Sequence, residues 1–250
     1  MDLKHWNTIE RGAGRLAADD DMLRFELHAA NTAYSNAQID DYQQLPRKKF
    51  PHHPPLTLTV RARFSHPASE LRGTAGFGFW NDPFMMTGIR PPTLPRAVWF
   101  FFASPPSNMP LAADVLGFGW KAATINALRP QFAALLPLAP VAVPLMNIPA
   151  LRWRLWKYGQ RTANICEREI SAPMTEWHTY AIRWQKNGIR FMIDGQPFLN
   201  CHCVIPGPLG FVMWLDNQFM VAVPWGRFRW GVLDTPAQWM EIQQLKIKNE

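Results

Sequence analysis

Residues Trp177–Phe198 read WHTYAIRWQKNGIRFMIDGQPF. Tyr180, Ile182 and Trp184 alternate with Thr179, Ala181 and Arg183, which is the two-residue period of a half-buried strand. Asn187-Gly188 is the dipeptide that supplies positive φ in a tight turn, and Ile189, Phe191 and Ile193 resume the alternation after it. Asp194-Gly195 marks a second turn before Pro197-Phe198. The stretch is a β-hairpin, and strands of the same kind extend from it in both directions.

Upstream, LTLTVRARF over 56–64 points Leu56, Leu58 and Val60 inward, and Leu23, Phe25 and Leu27 share one face of a strand over 22–28. In 73–80, Ala75, Phe77 and Phe79 lie on one face, with Gly76, Gly78 and Trp80 on the other. Glycines beside a tryptophan on a strand face mean that something approaches the backbone there. RAVWFFFA, residues 96–103, is apolar on both faces and is expected to be a central strand covered on both sides. Downstream, 209–217 sets Gly210, Val212, Trp214 and Asp216 on one face, and 240–247 is a closing strand. Trp225–Trp230 is aromatic and basic.

Residues 111–164 break the alternation. Residues 120–128 suggest a short helix, and Pro130 suits the first turn of another over 131–136. FAALLPLAPVAVPLM, 132–146, is an uncharged apolar run broken by three prolines, too short and interrupted to span a bilayer. Arg152, Arg154 and Lys157 follow, among Trp153, Leu155, Trp156 and Tyr158. The segment is read as a lid packed on the sandwich. A membrane-surface element over Phe132–Tyr158 is the open alternative.

Composition sets the bounds. Two hundred and fifty residues, 48% hydrophobic with 12 Trp and 16 Phe, suffice for one domain over 1–250 with a large core. Twenty-three prolines favour turns over long helices. The net charge of +7 is scattered apart from Arg47–Lys49 and Arg152–Arg161, so no nucleic-acid partner is expected. The three cysteines, Cys166, Cys201 and Cys203, are too few and too odd in number for a disulfide framework. His202 points away from its two neighbouring cysteines, so neither a metal nor a cofactor is expected. MDLKHWNTIERGAGRL has no apolar signal region, which makes a cytoplasmic, reducing location the expectation, with membrane association left open.

The phrasing W-H-T-Y-A-I-x-W-x-x-x-G-I-x-F-x-I-D-G resembles the late hairpin of glycoside hydrolase family 16, and 34–40, 56–64, 73–80 and 240–247 follow that family's strand order. The resemblance implies an all-β fold: a concanavalin A-like β-jelly-roll sandwich of two antiparallel sheets, with a partly helical apolar insertion at about 111–164. It also implies a retaining glycosidase whose catalytic strand reads E-x-D-x-(x)-E. Alternate residues of that strand share the cleft face, and retention sets the two working carboxyls about 5–5.5 Å apart. The matching strand here is 96–103, and it has Ala97, Trp99 and Phe101 where the acids belong. Glu167-Arg168-Glu169 is set aside for want of a strand context.

The functional expectation is therefore a non-hydrolytic protein that binds a hydrophobic or amphipathic small molecule or a glycan in a Trp-lined concave cleft. Trp80, Asn81, Trp99, Phe101, Trp214 and Asn217 are the ligand-binding candidates. The bland reading of Trp80 is a sheet-packing side chain. An alternative is an enzyme of a non-glycosidase class, in which Asp82 or Asp216, desolvated among tryptophans, serves as a general acid for cyclisation or isomerisation of an apolar substrate. A membrane-surface protein comes next, and a glycosidase with relocated acids last.

Overall fold

The computed structural model describes residues 3–29, 33–83 and 90–250. Its strands are β1 (Asn7–Arg11), β2 (Gly14–Ala18), β3 (Leu23–Leu27), β4 (Asn36–Asp40), β5 (Leu56–Phe64), β6 (Thr74–Trp80), β7 (Arg96–Ala103) and β8 (Gly119–Asn126). After β8 come the helices α1 (Pro130–Ala133), α2 (Ala139–Leu145) and α3 (Pro149–Thr162). The chain then returns to strands: β9 (Cys166–Glu169), β10 (His178–Gln185), β11 (Gly188–Ile193), β12 (Gln196–Cys201), β13 (Gly210–Asp216), β14 (Gln218–Val223), β15 (Arg227–Val232) and β16 (Gln238–Asn249).

Two seven-stranded antiparallel sheets result. The first runs β1-β4-β13-β6-β7-β8-β9 and the second β12-β11-β10-β5-β16-β3-β2, with β14-β15 as a separate hairpin. The order follows from alternation. Ala75, Phe77 and Phe79 of β6, with Val98, Phe100 and Phe102 of β7, face Leu56, Leu58, Val60, Tyr180, Ile182 and Trp184 of the second sheet across one apolar layer. Trp120 sits at its centre, 5.5 Å from Tyr180 and 5.3 Å from Phe64 by ring centroids. Full burial of such a ring is worth roughly 2–3 kcal/mol, so this layer dominates stability.

The opening hairpin stands where its alternation placed it, as β10-β11 of the second sheet with Trp184 opposite Ile189. Its first turn differs from expectation. Gln185 pairs with Gly188, so Lys186-Asn187 form the loop, and neither Asn187 nor Gly188 has a positive φ. The second turn does use the left-handed region, at Asp194 (φ 49°) and Gly195 (φ 77°). The closing strand β16 pairs with β3 and β5. Two short strands, β1 and β2, precede β3.

Two further corrections bear on function. Residues 120–128 are not a helix: Gly119–Asn126 form β8, paired along its length with β7. Ala122, Ala123 and Thr124 are buried on both faces, so the polar alternation that announces a strand is missing. The insertion proper therefore begins after β8. In addition, Cys166 and Cys201 form a disulfide, leaving Cys203 as the free cysteine. The bridge joins β9, at the edge of the first sheet, to β12, at the edge of the second, so a chain with too few cysteines for a disulfide framework still has one bridge. No helix among the described residues is long and apolar enough to cross a membrane.

Candidate functional site

The outer face of the first sheet, turned away from the second, carries a separate apolar cluster. Tyr42, Phe50, Trp80, Ala97, Ile125, Val212 and Trp214 are buried in it, with Trp99, Phe101, Leu111, Phe132 and Ile165 packed against them. Register brings the tryptophans together: Trp214 lies opposite Gly76, and Gly78 opposite Trp99. A Cβ on Gly76 would come within 2.9 Å of the Trp214 ring, and one on Gly78 within 2.7 Å of the Trp99 Cβ. The glycines thus make room for neighbouring tryptophans. Trp80 and Trp214 stack nearly parallel, 9° apart at 6.3 Å, while Trp99 stacks on Phe101 at 5.3 Å and lies 5.9 Å from both other tryptophans.

This packing uses much of the rings, but it leaves a cavity of about 130 Å³. Trp80, Trp99, Phe101 and Trp214 line it from the sheet, and Leu111, Phe219 and Met220 from the loop before β8 and from β14. Its size is close to the ~150 Å³ apolar cavity that accepts a benzene ring in other proteins. A single ring or a short aliphatic group matches that volume.

The polar handles of the three tryptophans separate their roles. Trp80 Nε1 donates to Tyr42 Oη at 2.7 Å, and Trp214 Nε1 donates to Thr74 Oγ1 at 2.9 Å. Trp99 Nε1 is buried without a hydrogen-bond partner among the described residues. Buried indole N–H groups normally have one, so an acceptor on a ligand would complete this site.

Asp216 lines the same cavity and is fully buried. Its Oδ1 accepts from the Thr74 hydroxyl at 2.7 Å and from the Gln218 backbone N–H at 3.1 Å. Burial outweighs these hydrogen bonds and pushes the carboxyl up to about 6. Asp82 is placed elsewhere. It sits at positive φ (48°) outside the cavity lining, and its Oδ2 pairs with Arg90 Nη1 at 2.8 Å. Arg47 and Arg90 tie the backbone at Asn81, Asp82 and Tyr42–Leu45 together.

The two asparagines are likewise bonded into the scaffold. Asn81 donates to Leu94 O and accepts from Arg96 N–H. Asn217 accepts from Ser35 N–H and donates to Ala33 O and Leu233 O. Of the eight residues singled out from sequence, Trp80, Trp99, Phe101, Trp214 and Asp216 converge on the cavity; Asn81, Asp82 and Asn217 do not.

Sequence reasoning missed an ion pair. Glu167 does have a strand context, as β9, and its Oε1 lies 2.6 Å from Lys121 Nζ of β8 with both side chains 1% exposed. Lys121 also donates to Leu116 O, and Glu167 Oε2 accepts from Ala112 N–H at 2.8 Å. Burial raises the Glu167 carboxyl, with Lys121 opposing. Both residues line the cavity while latching residues 111–117 over it. The alternation of Cys166 and Arg168 against Glu167 and Glu169 was the signal for β9, but nothing local reveals a partner on β8.

The comparisons agree with this architecture. The family model for glycosyl hydrolases family 16 matches residues 154–202, the part that contains the hairpin. No curated protein sequence matches the chain significantly. Among solved structures, a GlcNAcα1-4Gal releasing endo-β-galactosidase from Clostridium perfringens aligns over 99% of this chain with a TM-score of 0.54 at 11% identity. The chain spans 59% of that protein's length. A glycoside hydrolase family 16 endo-glucanase from Bacteroides ovatus aligns over 99% of this chain and 96% of its own, with a TM-score of 0.53 at 13% identity. A Bacillus licheniformis β-glucanase aligns over 100% and 94%, with a TM-score of 0.51 at 10% identity. The fold is the concanavalin A-like sandwich of glycoside hydrolase family 16.

Proposed function

We propose that this family 16-like sandwich binds, without hydrolysing it, an amphipathic ligand whose apolar portion enters the tryptophan-lined cavity. A glycan bearing an apolar group and a small hydrophobic molecule with one acceptor oxygen both answer that description. The observation that carries the proposal is β7. Its outer face carries Ala97, Trp99 and Phe101 and no carboxylate; Trp99 and Phe101 line the cavity, and the buried Trp99 N–H has no acceptor among the described residues. The solved neighbours named above are an endo-β-galactosidase, an endo-glucanase and a β-glucanase, which supports a sugar-bearing ligand. The size of the cavity supports an apolar group inside it.

Calorimetry with octyl glucoside, a sugar carrying an alkyl chain, tests the reading. Binding is expected to the intact protein and to be lost or weakened at least tenfold in Trp99→Ala and Trp214→Ala. Equal affinity in the intact protein and both variants would remove the cavity as the site.

A second reading rests on Asp216. A carboxyl that holds its proton to about pH 6 beside an apolar cavity is suited to general-acid catalysis on an apolar substrate. Glu167 is a poorer candidate, because Lys121 and the Ala112 N–H occupy both of its oxygens. Turnover of such a substrate that survives in Asp216→Asn would dismiss the acid role.

A further inference from the structure

The lid reading accounts for one side of the insertion only. Phe132 and Ile165 pack on the cavity cluster, and Trp156 Nε1 donates to Leu111 O at 2.9 Å. The other side stays in solvent: Leu138 is 59% exposed, Val141 65%, and Leu136, Leu145 and Ile148 are exposed as well. The β14-β15 hairpin continues this surface. Its turn rests on α2 and α3, with Asn147 Nδ2 3.1 Å from Trp225 O and the Arg152 guanidinium 4.3 Å from the Trp225 ring. Beside that turn, Phe228 and Trp230 lie 5.3 Å apart and are 62% and 68% exposed.

Charge marks this surface as well. Residues 127–165 contain Arg129, Arg152, Arg154, Lys157 and Arg161 and no acidic residue. Residues 217–233 add Arg227 and Arg229, again with no acid, on the face of β15 opposite to Phe228 and Trp230. None of these seven cations forms an ion pair among the described residues. Short Pro-broken helices with exposed aliphatic side chains, an exposed aromatic pair and unneutralised arginines are what an anionic lipid interface accommodates: rings and aliphatics enter the headgroup boundary while the guanidiniums meet phosphate.

We propose that the insertion and the β14-β15 hairpin together form a docking surface for the face of an anionic lipid bilayer. The chain would lie on the membrane rather than cross it, which agrees with the absence of a spanning helix among the described residues. The surface adjoins the cavity through Leu111, Phe219 and Met220, but the inference does not depend on what the cavity binds.

Flotation of the intact protein with phosphatidylcholine vesicles, with and without phosphatidylserine, tests it. Co-flotation is expected with phosphatidylserine and is expected to weaken on raising salt. Phe228→Ser/Trp230→Ser, at exposed positions where folding is unaffected, should lower the bound fraction roughly tenfold, as expected for removing the inserted rings. Arg154→Glu/Lys157→Glu should abolish the preference for phosphatidylserine. Absence of co-flotation with either vesicle overturns the proposal, as does equal binding by both double variants. Self-association in sedimentation that Phe228→Ser/Trp230→Ser removes, with vesicle binding absent, overturns it in favour of a second copy of this chain.

Discussion

β7 has two apolar faces with different fates. Val98, Phe100 and Phe102 are fully buried between two sheets, on a strand that pairs without a register shift with β6 and β8. Ala97, Trp99 and Phe101, on the other side, are covered by loops, by the β14 strand and by a helical insertion, and a cavity remains among them. Hydrophobicity alone does not separate the two. The covering element does: a sheet interdigitates along its whole length, whereas loops touch at points and leave space.

The largest effects should fall where packing or charge is sealed. Phe100→Ala should cost about 3–5 kcal/mol in urea unfolding, and Phe101→Ala on the opposite face well under half of that, because the cavity already forgives lost volume. Comparable losses would show that the outer cluster is as well packed as the core. Lys121→Met should be nearly as severe, roughly 3–5 kcal/mol, since it strands the buried Glu167 carboxylate. Adding Glu167→Gln should recover much of the loss, and a double variant no better than the single would deny that the pair acts as a unit.

A smaller effect is predicted on pH. Asp216 titrates near 6 in the folded protein against 3.8 ordinarily. Below about pH 4 both states hold the proton; between 4 and 6 the folded state alone keeps it, so stability falls as pH rises and the fall is complete above 6. The full drop is ~3 kcal/mol. Burial also raises Asp40 and Glu167, which slope the same way, so the comparison that isolates Asp216 is with Asp216→Asn. That variant keeps the acceptor for Thr74 and should show a flatter profile in thermal melts from pH 4 to 7. An unchanged slope would mean that the carboxyl ionises freely in its pocket.

The same contrast explains what could be read from the sequence. Strands with one buried face announced themselves: LTLTVRARF gave β5 and the Tyr180/Ile182/Trp184 alternation gave β10, to the residue or nearly so. β7, apolar throughout, was legible as a central strand because it is rich in aromatics. β8 was not, because alanines on both faces suit a helix equally and its one charged residue, Lys121, is satisfied by a glutamate 46 positions later, as the numbering of the pair shows. The tryptophans of the cavity were legible as a strand-face pattern. The polar residues beside them were not, since Asn81, Asp82 and Asn217 adjoin the site in sequence while their hydrogen bonds run to the surrounding backbone and to Arg90.

The smallest predicted difference bears most directly on the site. Trp184, in the core face, donates its N–H to Ile205 O at 2.8 Å, whereas Trp99, in the outer face, donates to no partner among the described residues. Trp184→Phe should cost about 1–3 kcal/mol, because it leaves a buried carbonyl without its donor. Trp99→Phe removes a donor that has nothing to lose, so stability should stay within about 0.5 kcal/mol or rise slightly. If Trp99 serves only packing, octyl glucoside affinity should be equally indifferent to this change. If its N–H is kept for a ligand oxygen, Trp99→Phe should weaken binding several-fold while the melting curve stays in place. Stability and affinity would then part company at a single nitrogen atom, which a packing role alone cannot produce.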